Sequence, residues 1–173
     1  AKIKQMIKLP NGTIRILVEG IERAEIVRFI ETENEFVVEV YPLEDIYGDR
    51  YEEEALMRQL INQFEEYIKI SRKVTKEILA TVIDIDDPSR LAYMISAHVP
   101  LKIKDKQSLL EINQIKNRLQ HLLTLLANEK KVLDLERKIG KRVQSSMERT
   151  QKEYYLREQL KAIQKELAEG DGK

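Results

Sequence analysis

A chain of 173 residues, 42% apolar and 35% charged, is long enough for one domain with a substantial core or for two small ones. With no cysteine it can form no disulfide, thiol nucleophile or thiolate metal site, which suits a reducing, cytoplasmic setting; no apolar run approaches the ~20 residues of a membrane span. The formal charge is zero but unevenly divided: residues 1–100 hold 13 Lys/Arg and 19 Asp/Glu, and residues 101–173 hold 17 and 11. The basic half fits either a solvated helix surface or an anionic partner.

The opening AKIKQMIKLP has neither the apolar core nor the cleavage site of a secretory signal, and it does not start with Met. It reads as a boundary within a longer chain or as a cleavage point. Residues 1–41 read as strand. Ile14, Ile16 and Val18 alternate with Arg15, Leu17 and Glu19, mostly a period-2 pattern. Pro10-Asn11-Gly12 marks a hairpin turn, because Asn-Gly supplies the positive φ angles of a tight turn. Gly20 predicts a bulge or bend in the next run. A second turn is expected near Glu31 to Glu35, before the strand FVVEVY at 36–41. Three or four antiparallel strands have too little area for a good core of their own. The β lobe is therefore expected to be incomplete, with strands supplied upstream or by a second molecule.

From about Glu52 the period becomes helical. Leu56, Leu60, Phe64 and Ile68 share one face, and Glu52 to Glu54 sit at the positive N-terminal end. Thr75 to Ile85 predicts a second helix with Ile78, Leu79, Val82 and Ile83 apolar. Asp87 reads as an N-cap, Pro88 as the first helical residue and Pro100 as the stop of a third. Lys106 to Leu110 predicts a short helix capped by Asp105, and Asn113 reads as the cap of the next, which carries Ile115, Leu119, Leu122, Leu123 and Leu126.

After Asn128 the apolar pattern thins to a seam of Val132, Leu135, Ile139, Val143, Met147, Thr150 and Tyr154. Val132, Val143 and Tyr154 are eleven apart, a repeat that keeps a seam straight or slightly right-handed. Beyond Tyr155 it shifts to the heptad spacing of Leu156, Leu160, Ile163 and Leu167. Gly140 is the weak point. Forty helical residues reach about 60 Å, further than a domain this size is wide, so the helix is expected to protrude.

No catalytic constellation emerges. His98 and His121 fall on different helices, with no carboxylate spacing that suggests a metal site or a base. Ser145 and Ser146 lie beside lysines, but a catalytic serine needs an oxyanion hole that a thin solvated helix does not offer. Glu52–Glu54 and Asp84–Asp87 read as helix-start chemistry. The ending GDGK fails the phosphate-loop pattern: Leu167 stands where the first glycine is required, nothing follows Lys173, and a helix precedes it. No catalytic, cofactor-binding or metal-binding residue is assigned.

Three blocks carry a family resemblance. QKEYYLREQLKAIQKEL resembles, almost residue for residue, the segment that precedes the ATPase module in Lon proteases. KLPNGTIRILVEGIERAEIV is similar to the Lon N-domain segment with its Leu-Pro-x-Gly turn and Val-Glu-Gly strand. DPSRLAYMISAHVPLKIKDKQSLLE is similar to the Lon P-x-x-L-A-D helix and the Lys-Gln-x-Leu-Leu-Glu helix after it, with Tyr93 where many members have Asp.

That resemblance implies an α+β chain: a partial β lobe over 1–48, a helical bundle lobe over 49–127, and a long protruding helix over 128–170 leading toward an ATPase domain. It implies a non-catalytic substrate-recognition and oligomerisation region of a homohexameric, ATP-dependent AAA+ enzyme with a Ser–Lys proteolytic domain, which degrades misfolded and regulatory proteins. ATP and Mg²⁺ are expected to serve the ATPase domain and not these residues. The implied partners are unfolded or misfolded proteins and further copies of the chain, including a dimer by strand exchange. Tyr154, Tyr155, Leu156, Leu160 and Ile163 are the expected contacts with partner helices or substrate. Two other readings stand beside this one. DNA binding would use the basic cluster Arg137, Lys138, Lys141 and Arg142, against which the interleaved glutamates and lack of nearby stacking aromatics argue. A stand-alone coiled-coil scaffold would use the long helix alone.

Overall fold

The computed structural model describes residues 1–33, 35–71 and 76–170. Four strands form two separate antiparallel hairpins. β1 (Lys2–Lys8) pairs β2 (Ile14–Glu19), and β3 (Arg23–Ile30) pairs β4 (Val37–Leu43). The first turn falls at its sequence signal, but of the Asn-Gly pair only Gly12 takes a positive φ, and the loop spans residues 9–13. Gly12 has φ 83°, its N–H donates to the Leu9 carbonyl at 3.0 Å, and the Thr13 N–H donates to Asn11 Oδ1 at 3.1 Å. Gly20 is not a bulge. It lies between β2 and β3, where it separates the hairpins, and the register shifts fall at Ile3/Gln5 and Ile26/Arg28. The second turn falls between Ile30 and Val37; its Asn34 lies outside the described residues.

The helical part holds the core. α1 (Arg50–Ile70) starts on Asp49, whose side chain accepts the Glu52 N–H. It buries Leu60, Phe64, Tyr67 and Ile68 at helical spacing. α2 (Lys76–Ile83) is shorter than its pattern suggested: Ile83 is exposed, while Ile85, beyond the helix end, is buried. The predicted first residue, Thr75, lies outside the described residues. α3 (Pro88–His98) begins as expected, with Asp87 accepting the Arg90 N–H at 2.6 Å and Pro88 in the first turn.

α4 (Ile103–Glu111) starts three residues earlier than predicted, so Asp105 sits within the first turn and does not cap it; the cap position is Lys102, which makes no side-chain capping bond. α5 (Ile115–Gly170) is one helix of 56 residues, unbroken at Gly140. Asn113 does not cap it, because its side-chain oxygen accepts from Arg23 Nη1 at 3.0 Å.

The first turns of α5 lie among the other helices, with Ile115, Leu119, Leu122, Leu123 and Leu126 all buried. The helix leaves this lobe near Leu133, the last of its residues packed on the core, and the Lys130–Glu66 ion pair marks the exit. From Asp134 to Leu167 it projects by roughly 50 Å at ~1.5 Å per residue.

The junction between the hairpins and this core is polar. Arg118 of α5 is fully buried. Its Nη2 reaches Asp45 Oδ1 at 2.6 Å, its Nη1 donates to Ser89 Oγ at 2.9 Å, and its Nε donates to the Ile112 carbonyl at 3.0 Å. Its guanidinium also lies 5.1 Å from the centre of the Tyr93 ring. Asp45 is shared with Arg23 of β3, at 2.5 Å from Nη2, and Arg23 Nη1 donates to the Leu110 carbonyl at 2.7 Å. Beside this cluster the Ile46 N–H donates to the Asn113 carbonyl at 2.9 Å, and the Ile115 N–H to the Ile46 carbonyl at 3.0 Å.

Burial by itself would raise the Asp45 pKa. The hydrogen bonds from Arg118 and Ser89 and the charges of Arg118 and Arg23 outweigh it and hold the carboxyl below its ordinary value of 3.8. A depressed carboxyl pKa contributes stability that is present above the unfolded value and is lost as pH falls through the folded one. The stability gap between the parent chain and Asp45→Asn should therefore narrow as the pH drops below about 4 in urea titrations. Arg118→Met leaves Asp45 and the Ile112 carbonyl short of donors and should cost about 3 kcal/mol in the same assay. Among the described residues the buried Tyr93 hydroxyl has no hydrogen-bond partner. Tyr93→Phe keeps the ring under Arg118, so its thermal midpoint should match or exceed that of the parent.

Candidate substrate and partner surfaces

The exposed apolar surface has two parts. The first is the pair of hairpins. A half-buried strand shows its apolar residues on one face, but here both faces are open: Ile16 and Val18 are 45% and 58% exposed, and Leu17, pointing the other way, is 59% exposed. In β3 the neighbours Ile26 and Val27 are 52% and 60% exposed, and Phe29 also stands out into solvent. Isolated two-stranded hairpins draw little stability from such an arrangement, so this surface is suited to being covered. The period-2 reading of the sequence did not anticipate that neither face would be packed.

The second part is the stripe along α5. Val132, Leu135, Ile139, Val143 and Met147 are exposed, followed by Tyr154, Tyr155, Leu156, Leu160 and Ile163. The five proposed contact residues thus lie on one continuous helix, in solvent, and none packs back onto the helical lobe. Polar side chains flank them. Gln159 Nε2 donates to the Tyr155 hydroxyl at 2.9 Å, and Glu153 pairs with Arg149 at 2.9 Å, not with the equally spaced Arg157. Such exposed i,i+4 pairs contribute only ~0.3–0.5 kcal/mol each.

The groups with reactive potential are occupied or dispersed. His98 ends α3, and His121 lies on α5. His121 Nε2 meets Ser108 Oγ at 2.8 Å, a contact between α4 and α5 that no local spacing announces. The Ser108 hydroxyl donates its one proton to the Asp105 carbonyl, also at 2.8 Å, which leaves its oxygen to accept from the imidazole. That direction opposes the activation of a nucleophile, in which the serine gives its proton to the base. Ser145 and Ser146 are exposed on α5. Among the described residues no group of His, Asp and Glu side chains is arranged to hold a metal ion, and no helix is long and apolar enough to cross a membrane. Arg137, Lys138, Lys141 and Arg142 are exposed on α5, more than three helical turns from Tyr154, the first aromatic beyond them.

Of the acidic helix-start residues, Glu53 is buried and accepts the Gly48 N–H at 2.6 Å, while Asp87 caps α3 and also accepts the Tyr47 hydroxyl at 2.9 Å. Desolvation of that hydroxyl, with the Asp87 carboxylate beside it, pushes Tyr47 up to about 12. These carboxylates join loops to helix ends.

Comparison with known proteins locates this architecture. Residues 1–128 match the family model of the ATP-dependent protease La (LON) substrate-binding domain. The chain is 58% identical over 173 residues to a Lon protease of Brevibacillus choshinensis, 54% over 172 residues to Lon protease 1 of Bacillus subtilis, and 47% over 171 residues to the Lon protease of Escherichia coli K12. Each alignment takes in at least 99% of the chain and 22% of the relative's length. The hairpins, the helical lobe and the start of α5 lie inside the family match, and the chain that carries them belongs to the LON substrate-binding domain family.

Proposed function

We propose that this chain is the non-catalytic substrate-recognition and oligomerisation region of an ATP-dependent, Lon-type protease that degrades misfolded and regulatory proteins. The observation that carries the reading is the two-sided apolar exposure of the hairpins within a substrate-binding family match. An unfolded protein differs from a folded one chiefly in its exposed apolar side chains and unpaired backbone. Open strands with apolar residues on both faces offer partners for both.

In this reading residues 1–48 capture, residues 49–127 provide a firm base, and residues 128–170 form the arm that joins capture to the motor. Hydrolysis of ATP with Mg²⁺ and peptide-bond cleavage belong to domains outside these residues; the described residues form no phosphate-binding loop, so no step of either is assigned here. Self-association, in a hexamer of the whole protein or through exchanged strands in the fragment, supplies the cover that the hairpins and the α5 stripe lack. Tyr154, Tyr155, Leu156, Leu160 and Ile163 are the proposed contacts of the arm with a neighbouring subunit, the ATPase domain or passing substrate.

Two tests separate capture from assembly. Ile16→Ser with Leu17→Ser removes exposed apolar area only, so the thermal midpoint should stay within a few degrees of the parent while affinity for unfolded casein falls about fivefold or more. Unchanged affinity would contradict capture by the hairpins. In the full-length protease, Leu156→Glu with Leu160→Glu should impair assembly or degradation of unfolded protein and leave the 52–126 core folded. Normal assembly together with normal degradation would reduce the stripe to a solvated helix face.

A further inference from the structure

Between the β3–β4 hairpin and α4 lies an open cleft of about 590 Å³. Glu22 through Ile26 form one wall, and Leu110 and Glu111 form the other. Side chains of a strand alternate between its faces, so the four successive β3 residues Arg23 to Ile26 can border one space together only along the strand's edge. That edge is free: among the described residues β3 pairs with β4 alone. An extended chain laid along that edge could pair with β3 as a further strand.

The side chains add a chemical preference. Ile26 and Leu110 are 52% and 42% exposed and supply an apolar floor with Leu43. Glu22, Glu25 and Glu111 bring three carboxylates. Among the described residues Glu22 and Glu25 make no ion pair or side-chain hydrogen bond, and Glu111 accepts only from the uncharged amide of Gln107, at 3.0 Å. The one cation in the walls, Arg23, is committed to Asp45 and to the carbonyls of Leu110 and Ile112. The cleft thus combines a free strand edge, an apolar floor and unneutralised negative charge.

We propose that this cleft docks an extended apolar segment of an unfolded protein that carries arginine or lysine. The segment adds as a strand to the edge of β3, and its cationic side chains reach Glu22, Glu25 and Glu111. The inference rests on the recognition reading and gives it a place and a sequence preference: the chain selects apolar-basic segments over apolar-acidic ones.

The test uses the 173-residue chain and two short fluorescein-labelled peptides, one alternating valine with arginine and one alternating valine with glutamate. The arginine peptide should bind more tightly, and its affinity should fall with added salt. Glu22→Lys with Glu25→Lys, both at exposed positions, should preserve the far-ultraviolet helix signal, weaken the arginine peptide about tenfold and strengthen the glutamate peptide. If the variant binds the arginine peptide as the parent does, the cleft is not the site, while the recognition reading survives. If neither peptide nor unfolded casein binds the parent, the recognition reading fails and takes this inference with it. If light scattering shows a dimer that the variant dissociates with peptide affinity unchanged, a second copy fills the cleft and the proposal is overturned.

Discussion

A fully buried arginine is expensive unless every part of its guanidinium finds a partner, and the architecture of this chain is arranged around meeting that demand for Arg118. Its partners come from three distant places in the sequence: Asp45 from the loop after β4, Ser89 from the first turn of α3, and the Ile112 carbonyl from the end of α4. Satisfying one side chain therefore fixes where that loop, α3 and α4 meet α5. Asp45 carries the constraint outward, because its other contact is Arg23, and Arg23 belongs to β3. The hairpin is held to the helical lobe by this bridge and by the short backbone pairing of Ile46 with Asn113 and Ile115, not by an apolar interface.

This division explains how the molecule can expose so much apolar surface and still be ordered. The core is complete without the hairpins: α1, α3 and the first turns of α5 enclose Leu60, Phe64, Leu91, Ile95, Leu119 and Leu122. No apolar residue of β1 or β2 is committed to it, which leaves them open to another chain. The same holds for α5 beyond Leu133, where the helix continues on local hydrogen bonding and its stripe remains uncovered. The hairpins and an arm project from one rigid base, and each leaves apolar area exposed.

What could be read from the sequence follows from how local each signal is. The Asn11-Gly12 turn and the Asp87-Pro88 helix start depend on neighbours within four residues, and both fall where expected, although Asn11 keeps a negative φ. The spacing of Leu60, Phe64 and Ile68, and of Ile115, Leu119, Leu122 and Leu126, marks buried faces because a helix repeats within itself. Asp105 misled because a carboxylate favours both the cap and the first turn of a helix, and the helix began before it. Asn113 misled because a long-range partner, Arg23, took the oxygen that a cap would have used. Arg118 left a legible trace: it sits three residues after Ile115 and four before Leu122, a charge inside an apolar stripe. Its partner Asp45 lies 73 residues away, and only the fold joins the two. The exposed apolar stripe on α5 was legible as a seam, because its spacing is that of one helix face.

The central claim is that the Arg23–Asp45–Arg118 bridge sets the direction of the β3–β4 hairpin relative to the helices. Residual dipolar couplings measured on the parent chain and on Arg23→Met test it directly. In the parent, one alignment tensor should fit the amides of β3, β4, α1 and α3 together. In Arg23→Met the helices should keep that tensor while the hairpin amides require a second, smaller one. A single shared tensor of undiminished size in Arg23→Met would contradict the account, because the backbone pairing of Ile46 would then be enough to set the hairpin's direction without the bridge.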